Sequence, residues 1–287
     1  MPHRADIGDE SLADRDFARL RDLIRAQAGI GLGAEKKTMV EVRLKRRLRA
    51  LNMASYHDYC ELLFRRGGNH DEVVSLIDVI TTNKTDFFRE PAHFEFLTER
   101  ALPELSARTA GTRPLLVWSA GCSSGEEPYT LAMVLSEYAA ARPGFRFRIL
   151  ATDISTAMLQ KGLLGVYSAE AVAPVTQPLR RKYLLRSRDT KPARVRMVPE
   201  LRRAVEFRRL NFMESDYALG EKADAIFCRN VLIYFDRPTQ QSILSKLIGH
   251  LVPAGYLFVG HSETLHDMDL PVIPVAPALY RKADARA

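Results

Sequence analysis

Glu126 and Glu127 stand directly behind a glycine turn, Gly121-Cys122-Ser123-Ser124-Gly125. They open a segment whose Leu131, Val134, Leu135 and Tyr138 recur at helical spacing. Ahead of the turn runs Leu115-Leu116-Val117-Trp118, an apolar stretch bounded by Pro114 and Ser119-Ala120-Gly121, which reads as a buried strand. Strand, glycine turn and helix are how an open α/β sheet builds a nucleotide pocket. The glycines let backbone approach a ligand, and the helix start offers unpaired N–H groups. The two carboxylates restrict that ligand, because they would repel phosphates. A ligand with a cationic end and a neutral nucleoside suits them, and S-adenosylmethionine, with its sulfonium and ammonium, is one. The pair would equally complement the helix dipole, worth about 0.3–1 kcal/mol each. This stretch alone leaves both readings open.

Further candidates lie at the ends of other apolar runs. Phe145–Thr152 reads as a second strand and ends at Asp153, where nucleotide-binding α/β folds hold ribose hydroxyls. Asp153 could instead cap the helix Ser155–Leu164, although Ser155 is an equally good cap. Val205–Leu210 leads to Asn211-Phe212, and Asp224–Cys228 leads to Arg229-Asn230. Gly121, Asp153, Asn211 and Asn230 all fall at C-terminal strand ends, where open α/β sheets bind ligands. The stretch ITTNKTDFFREPAHF, from Ile80, sets Asn83, Thr85 and Arg89 beside Phe87-Phe88. It is either a linker with an aromatic plug or a segment lying over a ligand with its polar groups inward.

The remaining elements position these residues. Ser11-x-x-Asp14 has the form of a capping box for a helix carrying Leu12, Phe17, Leu20 and Ile24, ended by Gly29, Gly31 and Gly33. The next helix, about 35–51, buries Val40, Leu44, Leu48 and Leu51. Its other faces carry Lys36, Lys37, Arg43, Lys45, Arg46, Arg47 and Arg49, either a solvated face or a docking surface for an acidic partner. Ser55-x-x-Asp58 and Asn69-x-x-Glu72 start two more helices, so residues 10–80 read as an all-helical unit. A helix over about 92–102 follows, then a polar connector, Ser106–Arg113. Residues 166–200 break the strand–helix alternation. Strands at Tyr183–Leu185 and Arg194–Val198 around a polar tip, Ser187–Pro192, suggest an inserted antiparallel element over about 178–204. Asp236 caps a later helix, Gly255–Gly260 is a strand, and Pro271–Arg281 suggests a single closing one.

Composition excludes several classes. The 287 residues are 46% hydrophobic and 27% charged, as in a globular protein of one large or two smaller domains. No apolar run approaches the roughly 18 residues that span a bilayer, and residues 1–10 are polar and expected to fray. The cytoplasm is the expected compartment, without membrane insertion. The 3 cysteines form neither a disulfide framework nor a metal pattern, and the 7 histidines show no HxxxH spacing. No metal is expected. Much of the net charge of +7 sits in Lys36–Arg49 and Arg180–Arg209, which suits nucleic acid, an acidic protein face or plain solubility alike.

Five pieces in order, ITTNKTDFFREPAHF, WSAGCSSGEEPYTLAM, ILATDIS with GLLGVYS, DAIFCRNVLIYFD and LFVGHSETL, resemble the CheR family. These are S-adenosylmethionine-dependent methyltransferases that esterify glutamates on bacterial chemoreceptors. The match covers about residues 10–282. The resemblance implies a doubly wound, Rossmann-like α/β methyltransferase domain (114–287) with a small inserted antiparallel β-subdomain. A small all-helical N-terminal domain (1–80) and a linker (81–113) that contributes to the cofactor site would precede it. It implies that Asn83, Thr85 and Arg89 cover the cofactor. Glu127, or else Glu126, would hold its methionine end, and Asp153 its ribose. Gly121 belongs to the pocket turn. Asn211, Phe212, Arg229 and Asn230 would border adenine and methyl group, and Tyr234 would stand by the methyl. The basic helix 36–49 maps to the family's docking helix for the receptor's cytoplasmic helical domain. Some members also bind a receptor tail peptide through a glycine-containing turn of the β-subdomain. The matching tip here, Ser187–Pro192, has no glycine, so direct docking is the expectation.

In such a reaction the acceptor glutamate has a pKa near ~4.3 and is already ionised, so no general base is required. Alignment and exclusion of water are what the enzyme must supply. Arg89 and Tyr234 are the expected catalytic residues, the first orienting the carboxylate by a forked hydrogen bond and the second shaping the methyl site. A nucleic-acid methyltransferase is the rival enzyme, but CRNVLIYF lacks the Asn/Asp-Pro-Pro-aromatic run of base-amino methyltransferases. A non-catalytic scaffold would predict eroded pocket residues, and none is visible.

Overall fold

A computed structural model describes residues 11–65, 69–109, 112–187 and 192–284. The expected fraying of residues 1–10 and most of the polar tip lie outside the described residues. The chain begins with helices α1 (Asp14–Ala28), α2 (Lys37–Leu51), α3 (Tyr56–Phe64) and α4 (His70–Ile80). They pack Leu20, Ile24, Leu44, Leu48, Tyr59 and Leu76 into one core. Ser55 and Asn69 cap α3 and α4 by accepting the Asp58 and Glu72 N–H groups. The Ser11–Asp14 capping box does not form. The cap of α1 is Ala13, without a side-chain bond, because the helix starts too late for Ser11 to reach it. Gly29 ends α1 at φ 71°, a left-handed conformation that favours glycine.

After the segment 81–91 come α5 (Ala92–Phe96), a π turn (Leu97–Ala101) and α6 (Leu102–Thr109). The expected helix therefore runs further, and Ser106–Thr109 is helical rather than connector. Buried Leu102 and Leu105 carry it on, and Pro103, which lacks an N–H, sits in the first turn after the widened one.

The main sheet follows: β1 (Leu115–Ala120), α7 (Glu126–Ala140), β2 (Phe147–Asp153), α8 (Thr156–Leu164). The insertion supplies β3 (Val166–Ser168), α9 (Gln177–Tyr183), β4 (Leu184–Arg186), β5 (Arg194–Met197) and α10 (Pro199–Ala204). Then come β6 (Val205–Arg209), β7 (Ala223–Cys228), a 3-10 turn (Leu232–Tyr234), α11 (Arg237–Gly249), β8 (Leu251–Val259), β9 (Val272–Ala276) and β10 (Leu279–Lys282). The 7-stranded sheet has the order β6-β2-β1-β7-β8-β10-β9. Strands β6, β2, β1, β7 and β8 pair in parallel, and β10 is antiparallel to both neighbours. The single closing strand is thus a hairpin. It turns at Pro277-Ala278, with Ala278 at φ 59°.

Alternation along β1 shows why the sheet is central. Leu115 and Val117 enter the core on one face, Leu116 and Trp118 the core on the other. β7 does the same with Phe227 and Ile226. Each such side chain contributes about 1.5–3 kcal/mol on burial. The small sheet has the order β3-β5-β4. Its strand Val166–Ser168 precedes the span 178–204 expected for the insertion, being too short to carry a periodic signal. The direction of the strand order reverses at β1, with β2 on one side and β7 on the other. A crevice opens there at the C-terminal strand ends.

Candidate functional site

That crevice is a cavity of about 510 Å³. Asn83, Thr85, Arg89, Gly121, Glu127, Asp153, Asn211, Phe212, Arg229, Asn230 and Tyr234 all line it. Gly31, Lys36 and Met39 of the helical unit close one side. Fold packing alone brings these groups together. Arg25 pairs with Asp236 at 2.9 Å, and the Gly31 N–H donates to the Tyr234 carbonyl at 3.0 Å.

The turn after β1 needs its glycines. Gly121 has φ 86°, and a Cβ on it would stand 2.5 Å from Cγ2 of Val231. Gly125 has φ 99°, and a Cβ there would meet the Tyr167 hydroxyl at 2.8 Å. Asp153 accepts the N–H groups of Ser123 and Ser155 at 2.8 and 2.9 Å. Burial pushes its carboxyl up against those bonds. Ser155 is the cap of α8, so Asp153 serves the pocket turn rather than a helix end. The Ser123 hydroxyl donates to the Asn83 carbonyl at 3.0 Å and ties the turn to the segment above it.

The paired glutamates separate. Glu126 accepts from the Ser124 hydroxyl and does not line the cavity. Glu127 does. One of its oxygens accepts from the Ser119 hydroxyl at 2.7 Å, the other from Nη1 of Arg229 at 3.2 Å. The Arg229 side chain is 2% exposed and its guanidinium is engaged by neighbouring protein groups. It donates from Nη2 to Glu90 at 3.0 Å and to the carbonyl of Arg89. Burial works against the charged form of Glu90, but the Arg229 charge and hydrogen bond outweigh it and hold that carboxyl below its usual range. Burial pushes the Glu127 carboxyl up, with Arg229 opposing. Two carboxylates therefore share one guanidinium, and of the two only Glu127 lines the cavity.

Asn211 spends its side chain on structure, donating to the Gln27 carbonyl at 2.6 Å and accepting the Met213 N–H. Phe212 packs on Phe235 and Tyr217. Arg89 is half-buried and donates to the Lys84 carbonyl at 3.3 Å. The Tyr234 hydroxyl donates weakly to the Thr82 carbonyl at 3.4 Å, and burial pushes its pKa up. Ser123 and Asn230, which line this cavity, and Phe88 and Glu90, which flank Arg89, hold positive φ without being glycine. Such strain gathers at functional sites.

Two acidic residues were not singled out by pattern. Glu90 follows Arg89, accepts from Arg229, and receives longer contacts from the Asn230 amide and the His261 N–H, both at 3.4 Å. Glu263 accepts three backbone N–H groups at the ends of β7 and β8. Their position within FREP and GHSE offered a weak signal, since each stands beside an expected strand end or site residue. Among the described residues, Glu90, His93 and His261 bring donor atoms within 4.8 Å of one another, but Arg229 already engages Glu90. Among the described residues no helix is long and apolar enough to cross a membrane.

On the basic helix α2, two arginines face inward. Arg43 donates to the Ile80 and Thr81 carbonyls, and Arg47 forks onto Glu72. Arg46 and Arg49 remain exposed.

Comparison with known proteins agrees with this architecture. Residues 15–81 match the CheR methyltransferase all-alpha domain, and residues 83–276 the CheR methyltransferase SAM-binding domain. A chemotaxis protein methyltransferase of Borreliella burgdorferi is 38% identical over 271 residues, 93% of this chain and 94% of that protein. Chemotaxis protein methyltransferase 2 of Pseudomonas aeruginosa is 39% identical over 270 residues, 93% of each chain. The Escherichia coli chemotaxis protein methyltransferase is 39% identical over 259 residues, 90% of this chain and 87% of that one. With a helical unit set against a doubly wound sheet, and a polar crevice where its strand order reverses, the chain belongs to the CheR family of S-adenosylmethionine-dependent methyltransferases.

Proposed function

We propose that this protein transfers the methyl group of S-adenosylmethionine to glutamate side chains on the cytoplasmic helical domain of bacterial chemoreceptors. The products are glutamate methyl esters and S-adenosylhomocysteine. The observation that carries the cofactor assignment is the Glu127 carboxylate on the cavity wall at the start of α7. It shares the Arg229 guanidinium with Glu90, which leaves it able to meet a ligand with a cationic amino-acid end. The cavity's size is that of nucleoside-scale ligand sites. The rest of the expected set assigns Asp153 to the ribose and Asn83, Thr85, Gly121, Asn211, Phe212 and Asn230 to the cavity walls around the ligand.

Bound S-adenosylmethionine supplies an electrophilic methyl carbon. A bond from carboxylate oxygen to that carbon forms as the carbon–sulfur bond breaks, and the electron pair stays on sulfur. The glutamate needs no deprotonation at neutral pH. Arg89, with most of its fork unengaged among the described residues, orients the incoming carboxylate. Tyr234 borders the methyl position, and the segment 81–91 keeps water from the nucleophile. Arg229 acts on the two groups beside it, fixing the Arg89 carbonyl and the Glu127 carboxylate.

Docking is assigned to the outward face of α2, with Arg46 and Arg49 toward the acidic receptor bundle in the cytoplasm. The domains are taken as 1–80, 81–113 and 114–287. The test uses methyl-labelled S-adenosylmethionine and membranes bearing chemoreceptors. Label on the receptor band that mild base releases supports carboxyl methylation. Stable label, or label only on added RNA, overturns it.

A further inference from the structure

Glu263 lies outside the cavity wall, is 7% exposed, and belongs to no ion pair among the described residues. Its charge is met by backbone. Oε2 accepts the N–H groups of Asn230 at 2.8 Å and Gly260 at 2.6 Å, and Oε1 accepts the N–H of Leu232 at 2.7 Å. Asn230 and Leu232 follow β7, and Gly260 follows β8. One carboxylate thus joins the ends of two neighbouring strands.

The segment it grips is the wall of the site. Asn230, Val231 and Tyr234 line the cavity. Asn230 is held at φ 58°, and the Leu232 N–H belongs to the 3-10 turn that carries Tyr234. The approach is close, since a Cβ on Gly260 would stand 2.5 Å from the Asn230 side-chain nitrogen. Val231 in turn packs against the space that Gly121 leaves open. Three converging donors require an acceptor on both arms. A carboxylate offers that, and a carboxamide would turn an N–H donor toward one of them.

We infer that Glu263 is a positioning residue of the methyltransferase site, setting the Asn230–Tyr234 backbone and through it the cofactor wall and the placement of Tyr234. The inference rests on the cofactor reading given above. It concerns a residue that touches neither ligand nor substrate.

Glu263→Gln keeps the size of the side chain and removes one acceptor arm. The test is S-adenosylhomocysteine titration calorimetry on the full chain, with circular dichroism confirming equal helix content, and steady-state kinetics on receptor membranes. The expected result is an affinity on the order of ten- to a hundredfold weaker, the scale of a misplacement of about 1 Å. The Michaelis constant for S-adenosylmethionine should rise while that for the receptor holds. Should the Gln variant fail to fold, Glu263→Asp, which keeps the charge but is too short to bridge both strand ends, should weaken binding likewise. Unchanged affinity in a folded variant overturns the role of Glu263. Wild-type protein that does not bind S-adenosylhomocysteine overturns the cofactor reading itself, and this inference with it.

Discussion

Nη1 of Arg229 lies 3.2 Å from Oε2 of Glu127, although 102 positions separate the two in the chain. The same guanidinium holds Glu90, so one buried cation bridges two largely buried carboxylates. Removing it leaves both without their hydrogen-bonded counter-charge. Arg229→Ala should lower stability by about 3–5 kcal/mol, the usual result of breaking a buried pair. Urea unfolding measures this, and a loss below about 1 kcal/mol would sink the account of the pair, since that is the range of an exposed one.

Glu127 and Glu126 are neighbours with different surroundings, and substitution should separate them. Glu127→Gln should weaken S-adenosylhomocysteine binding at least tenfold, about 1.4 kcal/mol. Glu126→Gln, turned toward Ser124, should leave affinity within about threefold, an effect under 1 kcal/mol. Equal losses in the two variants would return the helix-dipole explanation to first place.

Among the described residues the Arg89 side chain has one long hydrogen bond, and its backbone carbonyl is fixed by Arg229. Arg89→Ala should therefore keep cofactor affinity and lose turnover, by about a hundredfold or more for a lost orienting group. If calorimetry shows the affinity gone, Arg89 binds the cofactor carboxylate instead of the substrate.

His93 supplies a pH dependence. Burial pushes its imidazole down to about 4 from 6.5, with Arg229 next in effect and Glu90 opposing. Both ring nitrogens lack a hydrogen-bond partner among the described residues. Between those two values the unfolded chain binds the proton and the folded one does not, so stability rises with pH. The contribution is complete above about 6.5 and is lost as pH falls toward about 4, at most about 3 kcal/mol. Glu90, held low, adds a loss further down, as pH falls through its depressed folded value. Glu127 has the opposite sign, because its raised carboxyl takes up a proton more readily when folded. Unfolding midpoints measured from pH 4 to 8 should steepen in the wild type and flatten in His93→Phe. Parallel profiles would remove His93 from this role.

Arg46 and Arg49 should act on the receptor and not on the cofactor. Reversing both to Glu should raise the Michaelis constant for receptor membranes several-fold at low salt, with the gap closing as salt screens the charges. Arg43→Ala should instead disturb the segment it anchors at Ile80 and Thr81, and so weaken cofactor binding.

What the sequence determined by itself was local. The unbroken apolar run Leu115–Trp118 places a strand with two buried faces, because side chains of a strand point to opposite sides in turn. Ser55, Asn69, Ser155 and Asp236 cap the helices they precede, each bonding an N–H three residues on. Ser11 has the same signature and does not cap, since the pattern does not say in which register a helix starts. Gly121, Asp153, Asn211 and Asn230 were legible as strand ends, and strand ends of a parallel sheet converge.

The tertiary structure decided what those ends face. Asp153 and Ser155 were equal candidates for the cap of α8 until the fold gave that place to Ser155 and put the Ser123 N–H against Asp153. Arg43 and Arg47 look like the rest of a basic face until α4 packs beside them. The grip of Glu263 on Asn230 spans 33 positions, and that of Arg229 on Glu90 spans 139. No window of sequence contains such a pair. Only the assembled sheet brings these charged groups and backbone amides close enough, and dry enough, for each to determine where the other stands.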